Sequence, residues 1–534
     1  MGRDGAAPGS VLARFGPAAL GLASGVLALG PALGPGFVLR YDMVFVPGPP
    51  LRLGDGFPRA VPSDQVVALL SVLLPAEIVQ KAILLGLFVL AASGAAALAR
   101  DALPEGAVVP RLAAAAFYAW NAYLAQRLLI GQWALLLGYA GLPWAVRAAA
   151  RGGAARLAAA LLPAAVGGFQ AMLVSALTVL PVAALGRRRG GGGGGVRAVL
   201  SAVSPPLGVL AVLSLPWLVP ALVSVLRADA AADPAGVAAF APRADGPFGT
   251  LGSLLTLGGI WNSHATVPGQ DMSALAAVRL ALALVAVAGF VRLGFVRRPA
   301  WWRGLAVAAC AGVLIACAGA FAPGVPRALI GWWAGFGPLR DGQVYVAPLA
   351  LAQAMGVAVA VAALRAAMPA PVAAAATAVP VLVLPTFALG AFGRLGTAEY
   401  PEEWRRVQAV VDGDPAPGAV LSLPWSAYRA FSWNGGRVVL DPATKMFSRP
   451  VVWNDALVVG TGGGRRIRVA AESPRARRIG ALLAGPAAVP LTGALKREGV
   501  RYVLAGGVGE NTFLSRLPGA TPVYRGRELL LVRL

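Results

Sequence analysis

Long runs of apolar residues dominate the first three quarters of the chain, and short charged or Pro/Gly-rich segments separate them. Crossing a hydrocarbon core of roughly 30 Å takes about 20 helical residues at 1.5 Å per residue. On that measure about eleven crossings are predicted. They run from Val11 to Leu33 and from about Val79 to Ala99, then near 111–126 and 133–146. A pair of short spans follows between Arg156 and Arg187, and the rest fall near 198–225, 272–292, 304–322, 344–366 and 371–393. The pair is preferred to one long span because Gly167-Gly168 supplies a turn and a hairpin keeps both flanking Arg clusters on one side. With Arg14 inside it and no small-residue cleavage site, the first run reads as a retained helix rather than a signal peptide.

Positive residues in short loops are retained on the cytoplasmic side, which orients the spans. Arg100, Arg111, Arg147, Arg151, Arg156, Arg187 to Arg189, Arg197, Arg292, Arg297, Arg298, Arg303 and Arg365 all fall on one side of the predicted topology. That side is expected to be cytoplasmic, together with the N-terminus. Residues 34–65, 126–132, 226–271 and 323–343, and everything after about Gly393, are then expected to face outward.

Beyond Arg394 the pattern changes, with higher charge density and apolar runs shortened to strand length between turn residues. Strands are predicted at Gly418–Trp425, Gly436–Pro442, Gly499–Gly507 and Arg527–Leu534, and helices at Pro401–Val411 and Pro474–Leu483. The expected architecture is a polytopic α-helical membrane domain over 1–393 and an extracytoplasmic α/β or α+β domain over 394–534. A semi-polar helical stretch, Val66 to Glu77, follows the first outward loop and precedes the second span.

Composition agrees with the pattern. Of 534 residues 58% are hydrophobic and only 13% charged, and the mean hydropathy is +0.71. Such a chain cannot clothe a water-exposed surface, so a soluble enzyme and a disordered chain are both excluded. The net charge of +23, from 46 basic and 23 acidic residues, is largely topological. The arginines are scattered over loops without interleaved aromatic platforms, so no nucleic-acid partner is expected. The glycine run 190–195 lacks a following Lys-Ser/Thr pair and reads as a linker, not a phosphate loop. Cys310 and Cys317 lie about 10 Å apart along a helix, too far for a disulfide. One histidine excludes a His-rich metal site. The Ala/Gly/Arg-rich composition suggests a bacterial source with GC-rich coding.

Candidate chemistry gathers in the outward segments. Asp42 lies about nine residues beyond the first span, where a carboxylate can act as general base or simply be solvated. Arg127, flanked by Gln126 and Gln132 and by Trp120, Tyr123 and Trp133, can hold a phosphate through paired N–H donors or snorkel in an aromatic belt. Arg340, beside Asp341, is a second phosphate candidate. Trp261 can stack on a sugar ring, and His264, the lone histidine, can orient sugar or phosphate. Glu77 and Lys81 are spaced i,i+4 and are expected to pair. In the C-terminal part Trp404, Trp425, Trp433 and Trp453 accompany Tyr400 and Tyr428, a density that suits a packed core or carbohydrate stacking. Asp412, Asp414, Asp441 and Asp455 show no EF-hand spacing.

The layout resembles the GT-C class of integral membrane glycosyltransferases, and in particular actinobacterial arabinofuranosyltransferase-like proteins. The likeness is carried by "YDMV" at Tyr41 to Val44, by the stretch Phe117 to Trp144, by "LGGIWN" at Leu257 to Asn262, and by "LSLPWSAY" and "GVRYVLA" near the C-terminus. The resemblance implies an inverting transfer of sugar from a polyprenyl-phosphate donor to a cell-envelope glycan or lipid acceptor at the outer face of the plasma membrane. Asp42 matches the loop acid that serves as base. Arg127, Gln132, Trp133, Trp261, His264 and Arg340 are the expected donor and substrate contacts. Many members carry an acidic doublet where Met43 follows Asp42, so a divalent cation would need Asp55, Asp64 or Asp271 to converge on the site. The competing readings are a transporter or flippase for a lipid-linked glycan and a non-catalytic scaffold. The absence of mid-span acids and of repeated halves favours the enzyme.

Overall fold

The computed structural model describes residues 8–52, 59–186, 196–226, 233–461, 465–506 and 514–534. Its helices in chain order are α1 (Pro8–Leu29), α2 (Ser63–Ser71), α3 (Ala76–Arg100), α4 (Val108–Ala119), α5 (Ala122–Leu129), α6 (Trp133–Arg151), α7 (Ala154–Gly167), α8 (Phe169–Gly186), α9 (Val196–Leu226), α10 (Ala235–Ala239), α11 (Gly249–Leu255), α12 (Ser273–Val296), α13 (Trp302–Phe321), α14 (Gly324–Trp332) and α15 (Ala347–Ala367). Among the described residues seven helices are long and apolar enough to cross a membrane, and an eighth if the bent pair Ala370–Val383 and Pro385–Gly393 is one span. The chain is a membrane protein. The additional expected crossings correspond to α4 with α5, to α6, and to α7, which is an apolar helix of 14 residues. The expected hairpin turn is a break at Gly168, between α7 and α8.

Small residues let the long helices approach. At the α12–α15 crossing a Cβ on Gly356 would lie 1.6 Å from the Ala286 carbonyl oxygen, so only glycine permits this contact. The 64° bend after Val383 frees backbone carbonyls in an apolar setting. Arg279 of α12 donates to the Val383 carbonyl (3.1 Å) and the Trp120 indole to that of Leu384 (3.0 Å), which satisfies them. The charged residue inside an apolar helix is thereby explained.

The strands are β1 (Phe37–Val38), β2 (Thr397–Ala398), β3 (Ala419–Leu423), β4 (Tyr428–Ala430), β5 (Val438–Leu440), β6 (Val451–Val452), β7 (Leu457–Thr461), β8 (Arg465–Val469), β9 (Val500–Gly506), β10 (Thr521–Arg525) and β11 (Leu529–Arg533). A five-stranded sheet runs β10-β11-β9-β3-β6, parallel between β9, β3 and β6 and antiparallel from β9 through β11 to β10. The alternation of side chains along β3 and β9 buries both faces. Leu421 and Val503 pack with Ile479 of the Pro474–Ala484 helix. Val420 and Leu504 join the larger core with Trp404 and Val407 of the Glu402–Asp412 helix.

The loop after α1 is built into the C-terminal strands. Phe37–Val38 pairs with Thr397–Ala398, and Tyr41 bridges Val439, its N–H donating to the Val438 carbonyl at 2.7 Å. Arg40 donates to the carbonyls of Leu129, Arg394 and His264 from behind this turn. Glu77 accepts from the Gly36 N–H (2.8 Å), so its expected pairing with Lys81 is replaced by a bond that anchors the start of the same loop.

Candidate functional site

A cavity of about 430 Å³ opens where this loop, the ends of α5 to α8, the segments around 240, 261 and 340, and the C-terminal strands meet. Asp42 lies in it, half-buried, with its Oδ1 accepting from the Tyr428 hydroxyl at 2.5 Å. Its backbone is fixed from three sides. Tyr41 adopts a left-handed φ of 45°, a conformation unfavourable for a bulky residue unless its surroundings impose it. The Asp42 N–H donates to the Ile130 carbonyl (3.1 Å), and Gly131 fits beneath with φ 84°. A Cβ on Gly131 would lie 2.2 Å from the Met43 nitrogen and 2.8 Å from that of Asp42, so the turn that carries Asp42 requires glycine there.

Arg127 stands behind this wall, not in the cavity. Its side chain is 0% exposed and makes a bidentate pair with Asp341 (2.7 and 2.9 Å). Further bonds run to Gln132 Oε1 (2.7 Å) and Gln343 Oε1 (2.7 Å). With four N–H···O bonds inside the protein, the guanidinium is spent on structure, and the expected phosphate contact is corrected to an internal one. Its effect reaches the cavity through its partners Gln132 and Asp341, which line it. Gln126 does similar work next door, donating to Asp245 (2.6 Å) and Gln270 (3.1 Å) and accepting from the Ile260 N–H. Those bonds hold the segment that carries Trp261.

Of the other expected contacts, Trp133, Trp261 and Arg340 line the cavity and His264 does not. Trp133 packs against Phe45 and Trp261 edge-on against Phe240. The Trp261 Nε1 is buried without a hydrogen-bond partner. His264 is exposed, and what it offers is its carbonyl, which receives Arg40 (2.7 Å) and Arg394 (3.3 Å). It braces the loop by its backbone.

The C-terminal side contributes residues that sequence reasoning did not single out as site groups. Glu472 takes Arg59 on Oε2 (2.5 Å) and Arg340 on Oε1 (2.9 Å). Lys445 pairs with Asp64 (2.8 Å), and Arg52 donates to the carbonyls of Thr444 and Arg449. Asp455 Oδ2 accepts from the N–H groups of Glu472 and Ser473 (3.0 and 2.9 Å), while its Oδ1 is buried and unpartnered. Trp453 lines the cavity, whereas Trp404, Trp433, Tyr400 and Phe431 form a packed aromatic cluster.

Burial raises the Asp42 carboxyl above the ordinary carboxylate value, with the Tyr428 hydroxyl, Arg59, Lys445 and Gln132 pulling the other way. Burial likewise raises Asp455, against the Ser473 N–H. Glu472 goes the opposite way. Burial resists its ionisation, but Arg59 and Arg340 outweigh it and hold the carboxyl down to about 2. Among the described residues no group of three or more His, Cys, Asp or Glu side chains is arranged to hold a metal ion. Asp55 lies outside the described residues, and Asp64 is already paired.

The helical part with a mixed sheet after it is a GT-C-like fold. Cryo-EM structures of the arabinofuranosyltransferase AftD from mycobacteria share it. One aligns with a TM-score of 0.56 at 16% identity over 97% of this chain and 39% of that one. A mutant form of AftD aligns with a TM-score of 0.57 at 17% identity over 98% of this chain and 42% of that one. This chain therefore spans about two fifths of the length of those proteins. No protein-family model matches the sequence, and no curated protein matches it.

Proposed function

We propose that this protein is an inverting membrane glycosyltransferase that takes a sugar from a polyprenyl-phosphate donor, with Asp42 as general base. The observation that carries the reading is Asp42 itself. It is an ionisable carboxyl raised by burial, fixed on an over-determined turn, in a cavity that Arg59 and Arg340 also line. In the proposed step an acceptor hydroxyl gives its proton to Asp42 while its oxygen bonds to the anomeric carbon. The bond from that carbon to the phosphate oxygen breaks, and the phosphate leaves on its lipid with the electron pair. The guanidinium groups offset the charge that develops on the leaving phosphate. Trp261 and Trp133 bound the sugar, and Gln132 orients Asp42.

The reading includes the two-part division at about 393, an N-terminus inside, some eleven crossings when the short helices α4 to α7 are counted, and a C-terminal part outside the plasma membrane. The one-sided arginine loops support it, as does the gathering at one end of every segment expected to face outward. An envelope glycan or lipid is the proposed acceptor. Turnover of the purified protein with polyprenyl-phosphate sugar tests the chemistry, and Asp42→Asn is expected to remove it. For the orientation, a single cysteine replacing exposed Val489, in a chain with Cys310 and Cys317 changed to Ser, is expected to react with an impermeant maleimide in intact cells. Reaction only after permeabilisation rejects the outward site.

A further inference from the structure

We propose that Arg59 and Arg340 form a phosphate cradle which the chain's own Glu472 carboxylate occupies, and that a phosphate-bearing ligand enters by displacing it. The inference rests on the glycosyltransferase reading for the identity of the lipid, but the cradle itself rests on geometry.

Two guanidinium groups from distant parts of the chain, one in the loop after α1 and one ahead of α15, meet on opposite oxygens of one carboxylate at 2.5 and 2.9 Å. Forked N–H donors on two oxygens of a planar anion are also the arrangement that suits a phosphate. All three side chains line the cavity that holds Asp42. The Arg59 side chain is 44% exposed and that of Arg340 23%, so an entering solute can reach the pair without unfolding anything. Arg340 also lies over the Phe240 ring at 5.0 Å, a contact that keeps it in place when its carboxylate leaves.

Glu472 is delivered by a short turn between β8 and the Pro474–Ala484 helix. That turn is held through backbone N–H groups, two to Asp455 Oδ2 and one from Ala470 to Asp233 Oδ2. The Glu472 side chain can therefore swing out while its backbone stays anchored. A phosphate monoester brings up to two negative charges and three terminal oxygens against one charge and two oxygens. It can replace the carboxylate on both guanidiniums and return Glu472 to solvent. No covalent step is involved.

The test is equilibrium binding of two probes to the full chain in nanodiscs, polyprenyl monophosphate and inorganic phosphate. An internal competitor lowers apparent affinity in proportion to the fraction of time it leaves the site open, so a clamp open about one tenth of the time costs about tenfold. Glu472→Gln, which keeps size and a hydrogen-bonding end but no charge, is expected to bind polyprenyl monophosphate about tenfold tighter than the native chain. Adding Arg340→Ala to that variant is expected to cancel the gain. A gain for both probes identifies a general phosphate cradle, and a gain for the lipid alone identifies a headgroup site that also needs the chain. Unchanged or weaker binding of both probes by Glu472→Gln overturns the proposal and makes Glu472 a mere tie between loops. Should that variant not fold, Glu472→Asp, one methylene too short to span both guanidiniums, is expected to give a smaller gain in the same direction, and no gain there also overturns it. Turnover is read separately. Activity that survives Asp42→Asn rejects Asp42 as the base, and a native chain without turnover rejects the transfer reading, without altering either binding outcome.

Discussion

The two walls of the cavity are built by different means. On the helical side, Asp42 is placed by backbone: a left-handed Tyr41, a glycine contact at Gly131 that tolerates no Cβ, and a buried Arg127 that ties Asp341 to Gln132. On the C-terminal side, Arg59, Arg340, Glu472, Lys445 and Asp64 meet through side-chain ion pairs that remain partly open to solvent. Close contacts and fully buried pairs define one geometry, because any alternative leaves an overlap or an unpaired charge. Half-exposed pairs exchange partners at small cost. A base needs the first kind of wall and an anion that must come and go needs the second.

The largest effect should come from removing the base. Asp42→Asn is expected to lower turnover by about 10²- to 10⁴-fold with folding intact, since the amide keeps the shape and loses the proton acceptor. Near-native turnover would make the rigid wall a scaffold without chemistry. Next comes its buried support. Arg127→Ala strands Asp341, and breaking a buried pair from one side costs about 3–5 kcal/mol. Thermal unfolding in detergent is therefore expected to report a marked loss of stability. A variant that stays stable and only binds donor more weakly would restore Arg127 to the cavity. Gly131→Ala should act between stability and rate, because the new Cβ overlaps the Met43 nitrogen and displaces the Asp42 turn. Turnover is expected to fall by about tenfold or more, since misplacing a reacting group by about 1 Å can cost 10²-fold.

The smallest and sharpest effect is on pH. With Asp42 as the proposed base, activity needs it ionised and is expected to rise with pH through a carboxyl value that burial raises. The Tyr428 hydroxyl donates to Asp42 and favours the ionised form, pulling that value down. Tyr428→Phe removes the pull, so the acid limb of the rate profile is expected to move to higher pH. A limb that stays put, or moves down, would mean that Tyr428 does not act on the base. Glu472, already held down to about 2, is ionised across the whole range and adds nothing to this limb.

Periodicity made much of the fold legible. Strands at 419–423, 438–440, 500–506 and 529–533 and helices at 402–412 and 474–484 fall where alternation and turn residues predicted them. Span positions followed from apolar run length. Crossing number was less accessible, because α4, α5 and α7 are short, and run length alone does not separate such helices from full spans. Within the site, Asp42, Gln132, Trp133, Trp261 and Arg340 were legible as polar or aromatic residues in loops predicted to share one face, and all five line the cavity. Arg127 and His264 shared that signature and lie elsewhere, since residue type and loop position do not reveal which way a side chain turns.

Sequence by itself determined that this is a membrane protein with a sheet-containing C-terminal part. The hydrophobic effect acts on local composition, and local composition is written in order along the chain. Partner choice was decided only in three dimensions. Asp341 took Arg127 rather than its neighbour Arg340, and Glu472 crossed 413 residues to reach Arg59. An ion pair depends on distance and burial after folding, and neither quantity is a property of sequence separation.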